Sequence, residues 1–494
     1  MPAFIEALNV VLQPTSLLFV VLGVLGGIII GGLPGLSATM GVAILVPMTY
    51  TLDPTSGIML LLGIYIGAIY GGSVAAILLK IPGTPAAVVT SFDGYSMGQK
   101  GEAGRAIGIA TCSSVVGGLI SVLFLIFMAP IISSFALSFG GAEYFALALF
   151  GLTIIINVSG TNLAKGVIAT LLGLMVAMVG IDDITSQSRF TFDSIYLITG
   201  ISFIPIMVGL FGFSEVLHQL ERIGKKVQVK QKIKNIVPKM KEIKDLAPVW
   251  LRGSIIGSFI GALPGAGAPV AAFVSYDIQK RLSKKKKEFG KGCSEGIAAP
   301  ESANNATTGG ALVPLMSLGI PGDAVTAILV GAFMIHNIRP GPTLFINNPE
   351  IVYSIFLALF FANIALLILG LAGARLYAKV LSVPIKVLLP TVVMLCIIGA
   401  YATNNTIFDV WIMMLFGVIG YFMIKVKIPI TPMVLGIVLG PILEKNFREA
   451  LKSSQGDYTV FFSSWISASL IILAILVVIL SLVSKNSKLK EMES

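Results

Sequence analysis

Long apolar stretches, interrupted by Pro-Gly pairs and parted by short basic runs, make up almost the whole chain. Stretches of this length predict membrane-spanning helices. Two of them are broken in the middle: Leu17 to Tyr50 around Leu33-Pro34-Gly35, and Val249 to Gln279 around Leu263-Pro264-Gly265. The second is flanked by the two most basic segments, so both its ends are expected on the cytoplasmic side. Each arm, about 15 residues, reaches roughly 20 Å, enough for the bilayer centre but not the far face. The stretch is therefore predicted to be a re-entrant helical hairpin with Pro264-Gly265 near its tip. The distal loop of the matching stretch, Thr51 to Gly57, has no Lys or Arg. The two hairpins are accordingly expected to enter from opposite faces.

The interruptions recur in order. Gly31-Gly32-Leu33-Pro34-Gly35 returns as Gly261-Ala262-Leu263-Pro264-Gly265, and Gly71-Gly72 followed by Ile81-Pro82-Gly83 returns as Gly309-Gly310 followed by Ile320-Pro321-Gly322. Repetition at an offset of about 230 to 240 residues points to duplicated halves, a hallmark of secondary carriers. The expected fold is an all-α polytopic membrane protein with two inverted repeats, each holding a re-entrant, broken-helix hairpin. The repeats would span residues 1–217 and 249–484, with a basic cytoplasmic linker at 218–248 and a cytoplasmic tail at 485–494.

Composition excludes a soluble protein. Hydrophobic residues are 56% of the 494, charged residues 12%, and mean hydropathy is +0.94. A bilayer removes the need to hide so much apolar surface. The net charge of +10 does not read as nucleic-acid binding, because nine basic residues lie between Arg222 and Lys244 and seven more between Lys280 and Lys291. Such clustering marks cytoplasmic loops, with contact to anionic lipid a secondary possibility. Extended along the chain, the rule places Lys80, Lys100, Arg105, Lys165, Arg375 to Lys386, Lys425, Lys427 and the tail inside. It places the loops around Asp182 and from Arg339 to Glu350 outside. Only Lys445, Arg448 and Lys452 depart from it. About eleven crossings are predicted besides the hairpins, with the amino terminus out and the carboxyl terminus in. No removable signal peptide is read at the amino terminus. Cys112, Cys293 and Cys396, and His218 and His336, are too scattered for a disulfide or metal framework.

A Pro-Gly break frees backbone N–H and C=O groups, which survive at membrane depth only inside protein or beside a watery cavity. Freed helix amino termini suit carboxylates, and freed carbonyls suit Na⁺. The candidate substrate residues at the breaks are therefore Pro34, Gly35, Gly83, Thr84, Pro264, Gly265, Gly267 and Gly322, joined by Ser37 and Thr39 just after the first break. The polar run on either side of Asn304 adds Ser302, Asn304, Asn305, Thr307 and Thr308, whose amides and hydroxyls can hold a polyanion. Glu301 and Asp323 are the coupling-ion candidates, as Na⁺ ligands or proton carriers; at the interface they would instead cap helices. No other cofactor is expected.

Three longer motifs carry a family resemblance. Gly31-Gly-Leu-Pro-Gly-Leu-Ser-Ala-Thr-Met-Gly41, Ala298-Ala-Pro-Glu-Ser-Ala-Asn-Asn-Ala-Thr-Thr-Gly-Gly310 and Leu318-Gly-Ile-Pro-Gly-Asp-Ala-Val-Thr-Ala327 resemble the large membrane subunit of the tripartite tricarboxylate transporters, as does Arg339-Pro-Gly-Pro-Thr-Leu-Phe345. The resemblance implies a prokaryotic inner-membrane permease beside a small four-span subunit. A periplasmic solute-binding protein would deliver citrate or a related carboxylate, and an ion gradient would drive uptake. The chain has no GxxxxGK[ST] phosphate loop. The rival readings are a membrane enzyme or flippase acting on a lipid or isoprenoid phosphate, for which the sequence supplies little chemistry, and an assembly scaffold. Rocking and elevator-like movement both stay open.

Overall fold

The computed structural model describes every residue except Met1, Pro34, 159–162, Asp183, 222–232, 381–384 and Ser494; within helices, the side chains at 155–158, 378, 380, 385, 387 and 481–493 are likewise outside the described set. The first half comprises α1 (Pro2–Val11), α2 (Pro14–Gly32), α3 (Ala38–Leu45), α4 (Pro54–Leu79), α5 (Thr90–Met97), α6 (Ala103–Ala136), α7 (Gly141–Val158), α8 (Leu163–Ala177) and α9 (Phe203–Leu220). The second comprises α10 (Met240–Gly261), α11 (Gly267–Leu282), α12 (Ser294–Leu318), α13 (Ala324–Ile335), α14 (Pro349–Val380), α15 (Ile385–Asn404), α16 (Ile407–Lys425), α17 (Ile430–Ser453) and α18 (Trp465–Glu493). Two residues at Gly180–Ile181 pair with Ser188–Arg189 as a small antiparallel ribbon.

Two central helices organise the bundle. α4 is buried from Ser56 to Leu78 at every position but Leu60, and α12 is buried continuously from Gly296 to Ser317. They correspond in the sequence repeat, and each has the same companion: α2 packs along α4, and α10 along α12. The seams are made of small residues, which let helix backbones approach closely. A Cβ on Gly31 would stand 2.0 Å from the Ala68 carbonyl oxygen, and one on Gly261 would stand 2.8 Å from Thr307 Cα. The long helices cross over. In addition to their contacts with each other, α6 of the first half packs along α12 of the second, and α14 of the second packs along α4 of the first.

Among the described residues, seven helices are long and apolar enough to cross a membrane by length and composition, fewer than the eleven crossings expected. The breaks explain part of the difference, since α3 and α13 are only 8 and 12 residues long. The polar run lowers the hydropathy of α12, although that helix is enclosed by protein. The second hairpin is also longer than expected, because α10 begins at Met240 and not near Val249.

Polar contacts join segments that the charge pattern assigns to one side. Lys100 Nζ donates to the Lys291 carbonyl at 2.6 Å, Arg105 pairs with Glu242 at 2.6 Å, Lys425 pairs with Glu221 at 2.5 Å, and Lys165 donates to the Val426 carbonyl. Arg448, one of the three exceptions to the rule, has its charge matched: it lies 2.5 Å from Asp182, which is 5% exposed and also pairs with Arg189. The hairpins' distal loops lie at opposite ends of α6, which is about 50 Å long. Thr49 meets His336 at 3.2 Å, in the segment where Pro342 accepts from Ser133 near the end of α6. The tetralysine loop instead approaches the start of α6 through Lys291 and Lys100.

Candidate functional site

All four broken segments meet at one cavity of about 390 Å³. The first contributes Ser37 and Thr39, the second Thr84 and Pro85, the third Gly265 and Gly267, and the fourth Asp323 and Ala324. Tyr65 and Ile69 of α4, Phe211 of α9 and Thr431 of α17 complete the wall.

Each break is shaped by its local sequence. Gly265 and Gly267 adopt φ of +82° and +61°, which L side chains rarely adopt. The Gly265 N–H donates to the Gly322 carbonyl at 2.7 Å, so the third break is fastened to the fourth. Gly83 and Gly322 sit behind the wall in matching positions: a Cβ on Gly83 would fall 1.9 Å from the Gly31 carbonyl oxygen, and one on Gly322 would fall 2.7 Å from that of Gly261. Asp323 caps α13, accepting from the Thr326 N–H at 2.8 Å through Oδ1, while Oδ2 accepts the Tyr65 hydroxyl at 2.6 Å. Ser37 caps α3 by accepting from the Met40 N–H at 3.1 Å.

The cavity presents donors and one carboxylate. The helices α3, α11 and α13 all begin at it, and their positive ends favour an anion. No side chain caps α11, so its leading N–H groups are available. The Thr84 hydroxyl is buried without a hydrogen-bond partner. Among the lining residues, Asp323 is the one acid and there is no Lys, Arg or His. Backbone and hydroxyl donors here suit a small anion, with the Asp323 carboxyl beside them.

The structure thus brings together Ser37, Thr39, Thr84, Gly265, Gly267 and Asp323, with Gly83 and Gly322 directly behind. Gly35 lies apart, against the side chains of Gln219 and Glu215, and Pro264 is not part of the lining. Pro34 lies outside the described residues. None of the polar run of α12, Ser302, Asn304, Asn305, Thr307 and Thr308, lines the cavity. Ser302 donates to the Ala298 carbonyl at 2.9 Å, Thr307 to that of Asn304 at 2.5 Å, and Thr308 to that of Asn305 at 2.7 Å. These hydroxyls are spent on their own helix, which is buried on all sides. Asn305 donates to Asn304 at 2.8 Å, and Asn304 in turn points at Glu301. Tyr65, Phe211 and Thr431 were not foreseen. Tyr65 is hidden within the apolar run from Ile58 to Ile69; Thr431 had a faint signal in Pro429-Ile430-Thr431-Pro432, another Pro-marked helix start.

No group of three His, Cys, Asp or Glu among the described residues could hold a metal ion. A polytopic helical protein whose broken helices converge on a cavity with helix amino termini in its wall belongs to the class of membrane transport proteins. Comparison makes this specific. The model of the Tripartite tricarboxylate transporter TctA family matches residues 17–435, and the chain belongs to that family. One similar protein of Agrobacterium vitis, described as "Uncharacterized 52.8 kDa protein in TAR-I ttuC' 3'region", is 38% identical over 471 residues, covering 95% of this chain and 94% of its own. A second from the same organism, "Uncharacterized protein in TAR-II ttuC' 3'region", is 43% identical over 226 residues, 46% of this chain and 93% of its own. No solved structure matches the chain.

Proposed function

We propose that the chain is the large permease subunit of an ion-gradient-driven importer of tricarboxylates, citrate-like, or related small organic carboxylates. The convergence of four helix breaks on one cavity carries the reading. Uncapped N–H groups of α11 and the unpartnered Thr84 hydroxyl would bind the substrate carboxylates, helped by the ends of α3 and α13. In this reading the two halves are inverted repeats, an arrangement favoured by distal hairpin loops that lie at opposite ends of α6. Movement of one bundle against the other would open the cavity first to one side and then to the other. The protein would reside in a prokaryotic inner membrane and work with a small four-span subunit and a periplasmic binding protein. Na⁺ or H⁺ would be the coupling ion, with Asp323 and Glu301 as candidates to bind it.

The test is uptake of radiolabelled citrate and other di- and tricarboxylates into proteoliposomes containing the chain with both partners, with and without inward Na⁺ and H⁺ gradients. Gradient-dependent uptake is expected. Absence of uptake for every carboxylate under every gradient would remove this reading.

A further inference from the structure

A second polar site lies away from the cavity wall. Glu301 of α12 is fully buried, and groups from four helices point at its carboxylate. Ser73 of α4 donates to Oε1 at 2.5 Å, and Thr90 of α5 donates to the same oxygen. Ser114 of α6 donates to Oε2 at 3.0 Å, and Asn304 approaches Oε1 at 3.4 Å. All four donors are themselves fully buried. Among the described residues no Lys, Arg or His pairs with Glu301.

The titratable groups on the helices packed around it are engaged elsewhere. Tyr70 of α4 shares a hydrogen bond with Thr111 of α6, and Asp93 of α5 accepts from Tyr276 of α11. Glu242 of α10 pairs with Arg105 of α6, and Glu295 of α12 accepts from Gln279 of α11. Cys112 of α6 is half-buried. A carboxylate buried without a countercharge is costly and is neutralised most readily by a bound cation. The donors around it are all hard oxygens apart from one amide, a set that suits a proton or Na⁺ and offers nothing to a soft metal.

We propose that Glu301, with Ser73, Thr90 and Ser114, binds the single monovalent cation, H⁺ or Na⁺, that couples to transport at the neighbouring cavity. The link is short. Ser73 follows Gly72, whose carbonyl accepts the Gly83 N–H at 3.3 Å and whose backbone abuts Thr84. Thr90 begins the helix that follows the Pro85–Val88 turn, itself at the cavity. Both hydroxyls thus flank the second break. With a cation bound, they share the carboxylate with it. Once the cation leaves, both must turn fully onto a charged oxygen, and the break between them shifts with them. The cation site therefore reports to the cavity through Gly83 and Thr84. This inference rests on the cavity reading above, so its test is arranged to stand apart from it.

Purified, substrate-free full-length protein is titrated with radioactive Na⁺, and in Na⁺-free buffer protonation of the buried carboxyl is followed by its infrared band; one equivalent of either cation at Glu301 is expected. Glu301→Gln should lose that equivalent while eluting as a monodisperse folded protein. Ser114→Ala, a milder change, should weaken it by on the order of ten-fold. Wild-type protein that binds no Na⁺ and keeps Glu301 ionised, or a Glu301→Gln variant that keeps the wild-type Na⁺ isotherm and buried-carboxyl band, would overturn the proposal. In proteoliposomes with both partners, Glu301→Gln is expected to lose more than about ten-fold of gradient-driven carboxylate accumulation. Unchanged accumulation would also overturn it. If wild-type protein bound the cation yet moved no carboxylate, the substrate reading alone would fall.

Discussion

Tyr65 and Asp323 are joined by a 2.6 Å hydrogen bond that ties the buried central helix of the first half to the last break of the second. The bond lies in the cavity wall and orients the one acid there. Removing the hydroxyl leaves Asp323 Oδ2 without this donor. Tyr65→Phe is expected to lower stability by about 1–3 kcal/mol and to weaken carboxylate binding. Thermal unfolding and ligand titration check the two effects, and an unaltered binding curve would separate Tyr65 from the site.

The Thr84 hydroxyl makes the opposite case. It is buried without a partner, so Thr84→Val removes an unsatisfied group and should leave stability equal or slightly higher. If the hydroxyl awaits a carboxylate, affinity should nevertheless fall by roughly ten-fold. Lower stability with undiminished affinity would show that Thr84 is structural.

Asp93 holds the tetralysine loop. Its fully buried carboxylate accepts N–H groups from Gly290, Gly292 and Cys293 at 2.7–2.9 Å through Oδ1, and the Tyr276 hydroxyl at 2.9 Å through Oδ2. Asp93→Asn replaces an acceptor-only group by one with two donors facing donors. Trypsin should then cut at Lys284 to Lys287 several times faster in membranes opened to the protease. Equal rates in both proteins would mean that the loop is held by other contacts.

Glycines on one helix should behave in opposite ways. A Cβ at Gly27 would stand 2.4 Å from the Ile64 carbonyl oxygen, whereas nothing lies within 4 Å of one at Gly26. Gly27→Val should cost about 1–3 kcal/mol or more, and Gly26→Ala should stabilise by up to about 1 kcal/mol. The equivalent seam in the second half predicts the same penalty for Gly257→Val, because its Cβ would meet the Ala303 carbonyl oxygen at 2.1 Å. Denaturation of the three variants in detergent is the measurement. A tolerated Gly257→Val would deny the two seams a common design.

The breaks were readable because Pro and Gly act locally: a pair such as Pro264-Gly265 interrupts a helix whatever surrounds it. That all four breaks share one cavity depends on tertiary packing, and only their recurrence in matched order hinted at it. The place of the polar run of α12 was not legible for a related reason. Polarity excludes lipid as a neighbour but does not separate a watery cavity from a close helix seam, and here Thr307 and Thr308 bond back to their own helix. Glu301 stood out from its type alone, whereas its cage comes from Ser73, Thr90 and Ser114, each an unremarkable hydroxyl in an apolar stretch. Arg448 broke the charge rule because a rule based on sequence neighbours does not see Asp182, which neutralises it from another loop.

The exchange of long helices between halves bears on how the chain is made. Synthesis delivers α6 to the membrane well before α12, along which it packs. Until then its small, hydroxyl-rich face, Ser114, Gly117 and Ser121, has no native covering from that helix. The first half is thus an unfinished assembly during translation, and the later helices complete it by closing around it. Folding is therefore committed only once α12 and the helices beside it have been inserted.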